Sequence, residues 1–183
     1  MAKYVPSPRD WVREQVELYE NSGGTKGTTL RDTGLPVVLV THWGNKTGAI
    51  RKTPLMRVKD GDNYILVGSQ GGAPKDPAWA HNLRVNPHIE LRDQTIVRPM
   101  RVREVKDAAE RARLWTLAVA AYPPYADYQA RTERQFRSSS QSRNPSIPSA
   151  CGGLNELSRA VVSSGPQKVG MINLKTTKAL GMI

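Results

Sequence analysis

From Pro36 to Val105 the chain is a succession of short β-rich runs cut by turns rich in Gly, Pro, Asp and Asn, and this pattern limits the fold more than any other feature. Pro36-Val37-Val38-Leu39-Val40-Thr41 ends at Gly44-Asn45-Lys46-Thr47-Gly48, and Ile50 to Val58 reads as a second strand, so a hairpin is expected. Asp60-Gly61-Asp62 then turns into Tyr64-Ile65-Leu66-Val67, which predicts three antiparallel strands in succession. Ile89-Glu90-Leu91 and the alternating Val97, Met100, Val102 and Val105 frame a further turn at Asp93-Gln94. Short strands with few helices predict an α+β fold on a small antiparallel barrel rather than a parallel sheet.

The helices are fewer and have recognisable ends. Ser7-Pro8-Arg9-Asp10 has the form of a capping box, and Val12, Val16 and Tyr19 recur at helical spacing until Gly23-Gly24 stops them. This helix reads as docked on the core. A membrane-surface role is the rival reading, but Glu14, Glu17 and Glu20 make its polar face acidic, which anionic lipid repels. Asp76 is expected to cap a short helix that begins at Pro77 and carries Trp79 to Val85. A longer helix spans about Asp107 to Ala121, Pro123-Pro124 breaks it, and a short helical piece carries Tyr125 and Tyr128.

After Phe136 the composition shifts to FRSSSQSRNPSIPSACGG, rich in serine, arginine and proline, so residues 1–135 are read as one domain and 136–183 as a disordered tail. The apolar runs are too short to cross a bilayer and the N-terminus lacks a signal-like apolar core, so the protein is expected in the cytoplasm, with peripheral membrane contact left open. A single cysteine, Cys151, excludes an internal disulfide and a cysteine-based metal site. His42, His81 and His88 have no metal-ligand spacing, so no metal is expected and each reads as an ordinary strand or helix residue.

The net charge of +11 raises nucleic acid as a partner, but its distribution argues otherwise. Residues 136–183 hold six basic residues against Glu156 alone, leaving 21 basic and 15 acidic residues for the first 135. A body of that moderate excess suits an anionic small molecule. Amides near Gly44 to Gly48 and Gly71 to Gly72 can approach negative oxygens closely, and Lys46, Arg51, Lys52 and Lys75 add positive charge. Pro54 within a strand predicts a bulge or an edge, which frees the backbone of Thr53, Leu55 and Met56 to meet the carbonyl and N–H edge of a flat heterocycle. Ser69 has no GxSxG setting and reads as a hydrogen-bond donor rather than a nucleophile. Tyr122, Tyr125 and Tyr128 are spaced by three, and the polar Asp127, Gln129 and Arg131 beside them point to a pocket wall.

The segments TGLPVVLVTHWGNKTGAIRKTPLMRV, SQGGAPKDPAWAHNL and AYPPYADYQARTERQ, in this order, closely resemble the deazaflavin-dependent nitroreductase family of mycobacteria and related actinobacteria over roughly residues 7–135. The resemblance implies a split β-barrel, similar to flavin-mononucleotide-binding oxidoreductases, that holds coenzyme F420. It implies that Asn45, Lys46, Thr47, Arg51, Lys52, Thr53, Pro54, Leu55 and Met56 contact the cofactor's phosphate and ring. Gly68, Ser69 and Gln70 would lie beside the ring, Ala78, Trp79, Ala80, His81 and Asn82 would close over phosphate and tail, and Lys75 would complete the basic rim. Tyr122, Tyr125, Tyr128 and Met56 would line the substrate pocket, with Tyr125 also reaching the cofactor.

The expected reaction is hydride transfer to a quinone or nitroaromatic, with Tyr125, Ser69 or water supplying the proton. A non-catalytic deazaflavin or flavin-mononucleotide binder is the alternative. Some family chains have tyrosine at Met56 and lysine at Gln70, and their closing strand reads IPVFV where this chain has Phe136-Arg137-Ser138-Ser139-Ser140. Reading ATT-CCG-GTC-TTC-GTC one base later gives that replacement, so a frameshifted tail lacking the central strand is expected.

Overall fold

The first helix begins two residues later than its capping box predicts. In the computed structural model, which describes residues 2–133, 137–143 and 171–173, α1 spans Asp10–Asn21. Arg9 occupies the cap position with no side-chain cap bond, because the Ser7 hydroxyl instead accepts the Arg9 amide at 3.2 Å in a local turn. Val12, Val16 and Tyr19 are buried as their spacing predicts, and buried Gln15 donates to the carbonyls of Gly27 and Thr29. Gly24, at φ +88°, ends the helix where a Cβ would lie 1.9 Å from the Gln94 carbonyl, so only glycine permits this approach.

Among the described residues eight strands form one antiparallel sheet. They are β1 (Val37–Trp43), β2 (Ile50–Met56), β3 (Lys59–Asp60), β4 (Asn63–Val67), β5 (His88–Asp93), β6 (Ile96–Glu104), β7 (Arg137–Arg143) and β8 (Met171–Asn173). Their order is β2-β1-β5-β6-β7-β4-β3, with β8 beside β7. The β1–β2 hairpin forms as expected, with Leu39 opposite Pro54, and β2 is an outer strand where a residue without an N–H can sit.

The turn at Asp60-Gly61-Asp62 forms as expected, with β3 antiparallel to β4, and β4 pairs on its other side with β7. Only Arg57 and Val58 separate β2 from β3, and the Ile65 amide donates to the Val58 carbonyl at 2.8 Å, so β4 pairs back on the continuation of the same run. The outer edge of β2 receives the N-terminal segment, with Tyr4 bridged beside Ile50.

The other helices are α2 (Ala78–Val85), α3 (Ala108–Ala121) and α4 (Pro124–Ala130). Asp107 caps α3 by accepting the Glu110 amide at 2.7 Å. Asp76 does not cap α2: Pro77 holds the cap position without a side-chain bond, and the Asp76 carboxylate lies 3.7 Å from Arg84. Among the described residues no helix is long and apolar enough to cross a membrane.

Strand β4 is buried on both faces. Tyr64 and Leu66 join Val38, Val40, Trp79, Leu83, Leu91 and Met100 in one cluster, while Ile65 and Val67 join Tyr19, Val37, Met56, Leu114 and Tyr125 in another. The strand period of two thus assigns alternate residues to two cores.

The expectation of a structureless tail fails for Arg137–Arg143 and Met171–Asn173, which are strands; residues 144–170 and 174–183 lie outside the described residues. β7 fills the position between β6 and β4, pairing Leu66 with Ser139 and Val102 with Gln141. The bare edges of β4 and β6 need backbone partners, and a ladder of amides and carbonyls can be made by serines as readily as by valines.

Candidate cofactor and substrate site

The turn between β1 and β2 is fastened amide by amide. Gly44 N–H donates to the Ala49 carbonyl at 2.8 Å, Gly48 N–H to the Gly44 carbonyl at 2.7 Å, and Ala49 N–H to the Thr47 hydroxyl at 3.3 Å. Asn45 N–H donates to Asn82 Oδ1 on α2 at 3.0 Å. The amides left without an acceptor among the described residues are those of Lys46 and Thr47. The glycines shape the turn, and the non-glycines hold its open donors.

The second glycine loop behaves differently. Gly72 N–H donates to the Ser69 carbonyl at 3.0 Å, and a Cβ on Gly72, at φ +86°, would lie 2.9 Å from the Tyr128 carbonyl. This glycine is required by the close approach of α4. Gln70 sits at φ +47°, an uncommon conformation for a non-glycine residue, and it faces the same cavity as the first turn.

That cavity encloses about 1240 Å³. It joins Asn45, Lys46 and Thr47 to Arg51, Lys52 and Thr53 and to the outer-strand residues Pro54, Leu55 and Met56. Ser69, Gln70 and Lys75 lie on it, as do Ala78, Trp79, His81 and Asn82 from α2. Tyr122, Tyr125 and Tyr128 complete the wall. Two expected residues are not on it: Ala80 is fully buried in the core beside α2, and Gly68 is buried.

Six Lys and Arg side chains line the cavity against one acid, Asp76. They are not equivalent. Lys52 is paired with Glu20 and lies 5.6 Å from the Tyr4 ring, and Arg51 donates to the carbonyls of Val5 and Pro6 at 3.3 Å each. Lys46 and Lys75 have no ion-pair partner among the described residues, so their charge is open to a ligand.

The tyrosines divide in a similar way. The Tyr122 and Tyr128 hydroxyls hydrogen-bond each other at 3.1 Å, and Tyr122 meets Tyr125 edge-on with centroids 4.9 Å apart. Tyr125 is only 4% exposed and belongs to the core as well as to the wall, and its hydroxyl has no partner among the described residues. Burial, then the bond to Tyr128, pushes the Tyr122 hydroxyl up to about 12, and burial raises Tyr125 further still. Both stay protonated at neutral pH and serve as hydrogen-bond donors.

Two features escape local sequence reading. The N-terminal segment brings Arg9 and Trp11 to the cavity, where Arg31 stacks 4.8 Å from the Trp11 ring. His42 on β1, 2% exposed, bonds both to Thr53 and to Asn82. No local pattern signals either one, since each depends on contacts between distant segments. Among the described residues no group of three or more His, Cys, Asp or Glu is placed to hold a metal ion.

Residues 11–137 match the sequence profile described as F420H(2)-dependent quinone reductase. The chain belongs to that family. An F420H(2)-dependent quinone reductase of Mycobacterium tuberculosis strain H37Rv is 35% identical over 130 residues, covering 67% of this chain and 83% of the relative. A solved F420-H2 dependent reductase is 42% identical, with a TM-score of 0.55 over 58% of this chain and 94% of its own. Another solved chain, described as a domain-swapped dimer, is 43% identical with a TM-score of 0.57, covering 74% of this chain and all of its own. The cofactor of an F420H2-dependent family is anionic and carries a flat ring. A cation-rich cavity with two open amides and a tyrosine wall fits it.

Proposed function

We propose that this chain transfers a hydride from reduced coenzyme F420 to a quinone or nitroaromatic acceptor. The observation that carries the reading is the single cavity in which the open Lys46 and Thr47 amides, the outer-strand backbone of Thr53–Met56 and the three tyrosines share one wall. When bound, the reduced deazaflavin supplies the hydride.

The protein's part is binding, orientation and electrostatics. The Lys46 and Thr47 amides, with the Lys46 and Lys75 side chains, hold the anionic groups, while Asn45 and Asn82 keep the turn in place. Arg51 adds positive charge to the rim, Lys52 joins it while paired with Glu20, and Thr53, Pro54, Leu55 and Met56 support the ring edge. Ser69 and Gln70 lie at the ring face, with Gly68 shaping their approach, and Ala78, Trp79, Ala80 and His81 form the helix that covers the phosphate end. Tyr122, Tyr128 and Met56 bound the acceptor. The Tyr125 hydroxyl, with Ser69, donates to the oxygen on which negative charge develops, and excluding bulk water strengthens those bonds.

The sheet is inferred to close as a split β-barrel, a reading supported by β2 packing against β4 across its ends. The test is a side-by-side titration of the purified chain with oxidised F420 and flavin mononucleotide, followed by assays of reduced F420 with a menaquinone analogue and a nitroaromatic. Tight F420 binding with acceptor reduction is expected. F420 binding without reduction selects a sequestering protein, and preference for flavin mononucleotide replaces the cofactor assignment.

A further inference from the structure

His42 stands where the β1 pattern calls for an apolar residue. It follows Val38 and Val40 on the same strand face, and those two pack in the core beneath α2. A buried imidazole there is tolerated only if both nitrogens are satisfied. Nε2 lies 3.2 Å from Thr53 Oγ1 on β2, and Nδ1 lies 3.3 Å from Asn82 Nδ2 on α2.

The directions of these bonds follow from Asn82. The Asn45 amide can only donate, so the Asn82 oxygen must face it at 3.0 Å, which turns the Asn82 NH2 toward His42. His42 Nδ1 is therefore the acceptor, Nε2 carries the proton, and Nε2–H donates to the Thr53 hydroxyl. That bond occupies a lone pair of the Thr53 oxygen and leaves the hydroxyl proton for another partner. Burial, outweighing a backbone hydrogen bond at Trp43 and joined by the Arg51 charge, holds the imidazole neutral down to about 4. A protonated ring would set two donors against each other at Asn82.

Both ends of this relay reach the cavity. Thr53 lies on the outer strand that borders it, and Asn45 opens the turn whose next two amides are free. We propose that His42 is a positioning residue whose neutral, doubly bonded imidazole fixes the Thr53 hydroxyl and, through Asn82, the Asn45–Thr47 turn in the arrangement that receives the anionic end of F420. The inference rests on the cofactor reading above. It adds a residue that touches no reacting atom but decides where two groups of the site point.

The experiment compares His42→Phe, which keeps a ring and removes both bonds, with His42→Gln, whose amide can both donate and accept. Asn82→Asp is the third variant; it still receives the Asn45 amide but cannot donate to Nδ1, so it reverses the relay. The readouts are F420 affinity by fluorescence titration, the split between KM for F420 and kcat, the imidazole tautomer by nitrogen NMR, and exchange protection of the Asn45 amide.

His42→Phe is expected to weaken F420 binding about tenfold, with a larger change in KM for F420 than in kcat, and His42→Gln to recover part of the loss. Asn82→Asp is expected to move the His42 proton to Nδ1 and to weaken binding while the Asn45 amide stays protected. Unchanged affinity in folded His42→Phe overturns the proposal. If that variant does not fold, an Nδ1-protonated wild type, or Asn82→Asp with wild-type tautomer and affinity, overturns it instead. A wild type that ignores F420 refutes the cofactor reading separately, and the tautomer and Asn45 protection in the free protein then decide the relay alone.

Discussion

The Gly44–Gly48 turn and the Ser69–Gly72 loop both reach the cavity, yet their backbones serve different ends. In the first, the glycine amides are taken up inside the turn and the open donors belong to Lys46 and Thr47. In the second, Gly72 is a contact point for α4, with the Tyr128 carbonyl where a side chain would go. A glycine in a loop beside a ligand cavity can therefore mark helix packing as readily as ligand approach, and the destination of each N–H distinguishes the two.

The largest expected effect breaks the second loop. Gly72→Val must clear the Tyr128 backbone from a positive φ and should lose about 4 kcal/mol in chemical denaturation. Gly71→Ala, at φ +66° with nothing within 4 Å, should lose only about 1 kcal/mol. Equal losses would remove the distinction between packing and turn shape.

Acid should loosen the first turn through its anchor. The unfolded chain protonates His42 as pH falls through about 6.5, whereas the folded protein resists until about 4. Stability contributed by this ring is therefore complete above about 6.5, declines between the two values by about 3 kcal/mol, and is constant below. Denaturation of wild type against His42→Gln over that interval isolates the slope, and parallel curves would contradict it.

Binding contrasts come next. Lys46→Ala should weaken F420 about tenfold, and less so in high salt, because this cation faces the ligand unpaired. Lys52→Ala should change affinity less, since its charge is already engaged by Glu20. Fluorescence titrations at two salt concentrations check both. The smallest effect is expected for Tyr122→Phe, which unpairs the Tyr128 hydroxyl and should shift acceptor KM about threefold. With the Tyr122 hydroxyl raised to about 12, its own ionisation followed by ultraviolet absorbance, as the difference between wild type and Tyr122→Phe, should fall near that value and not near 10.

Much of this was legible locally. The Val12, Val16 and Tyr19 face, the β1–β2 hairpin, the edge position of Pro54 and a helix from about Asp107 to Ala121 each follow from neighbours in the sequence. Most of the residues that the family resemblance assigns to the cofactor do share one cavity. What was not legible depends on pairing at a distance. β4 takes β7 as its second partner although the two are about 70 residues apart, and Arg137–Arg143 becomes a strand through backbone pairing despite a sequence without apolar alternation. Ser7 and Asp76 carried valid capping chemistry, but other local bonds took it up. His42 has meaning only once Asn82 and Thr53 lie beside it.

The most direct test of the central claim is an amide-resolved NMR titration with oxidised F420. The account predicts that the Lys46 and Thr47 amides shift and gain exchange protection together with saturation, while Gly72 moves little. Saturable F420 binding that leaves Lys46 and Thr47 unchanged would contradict it.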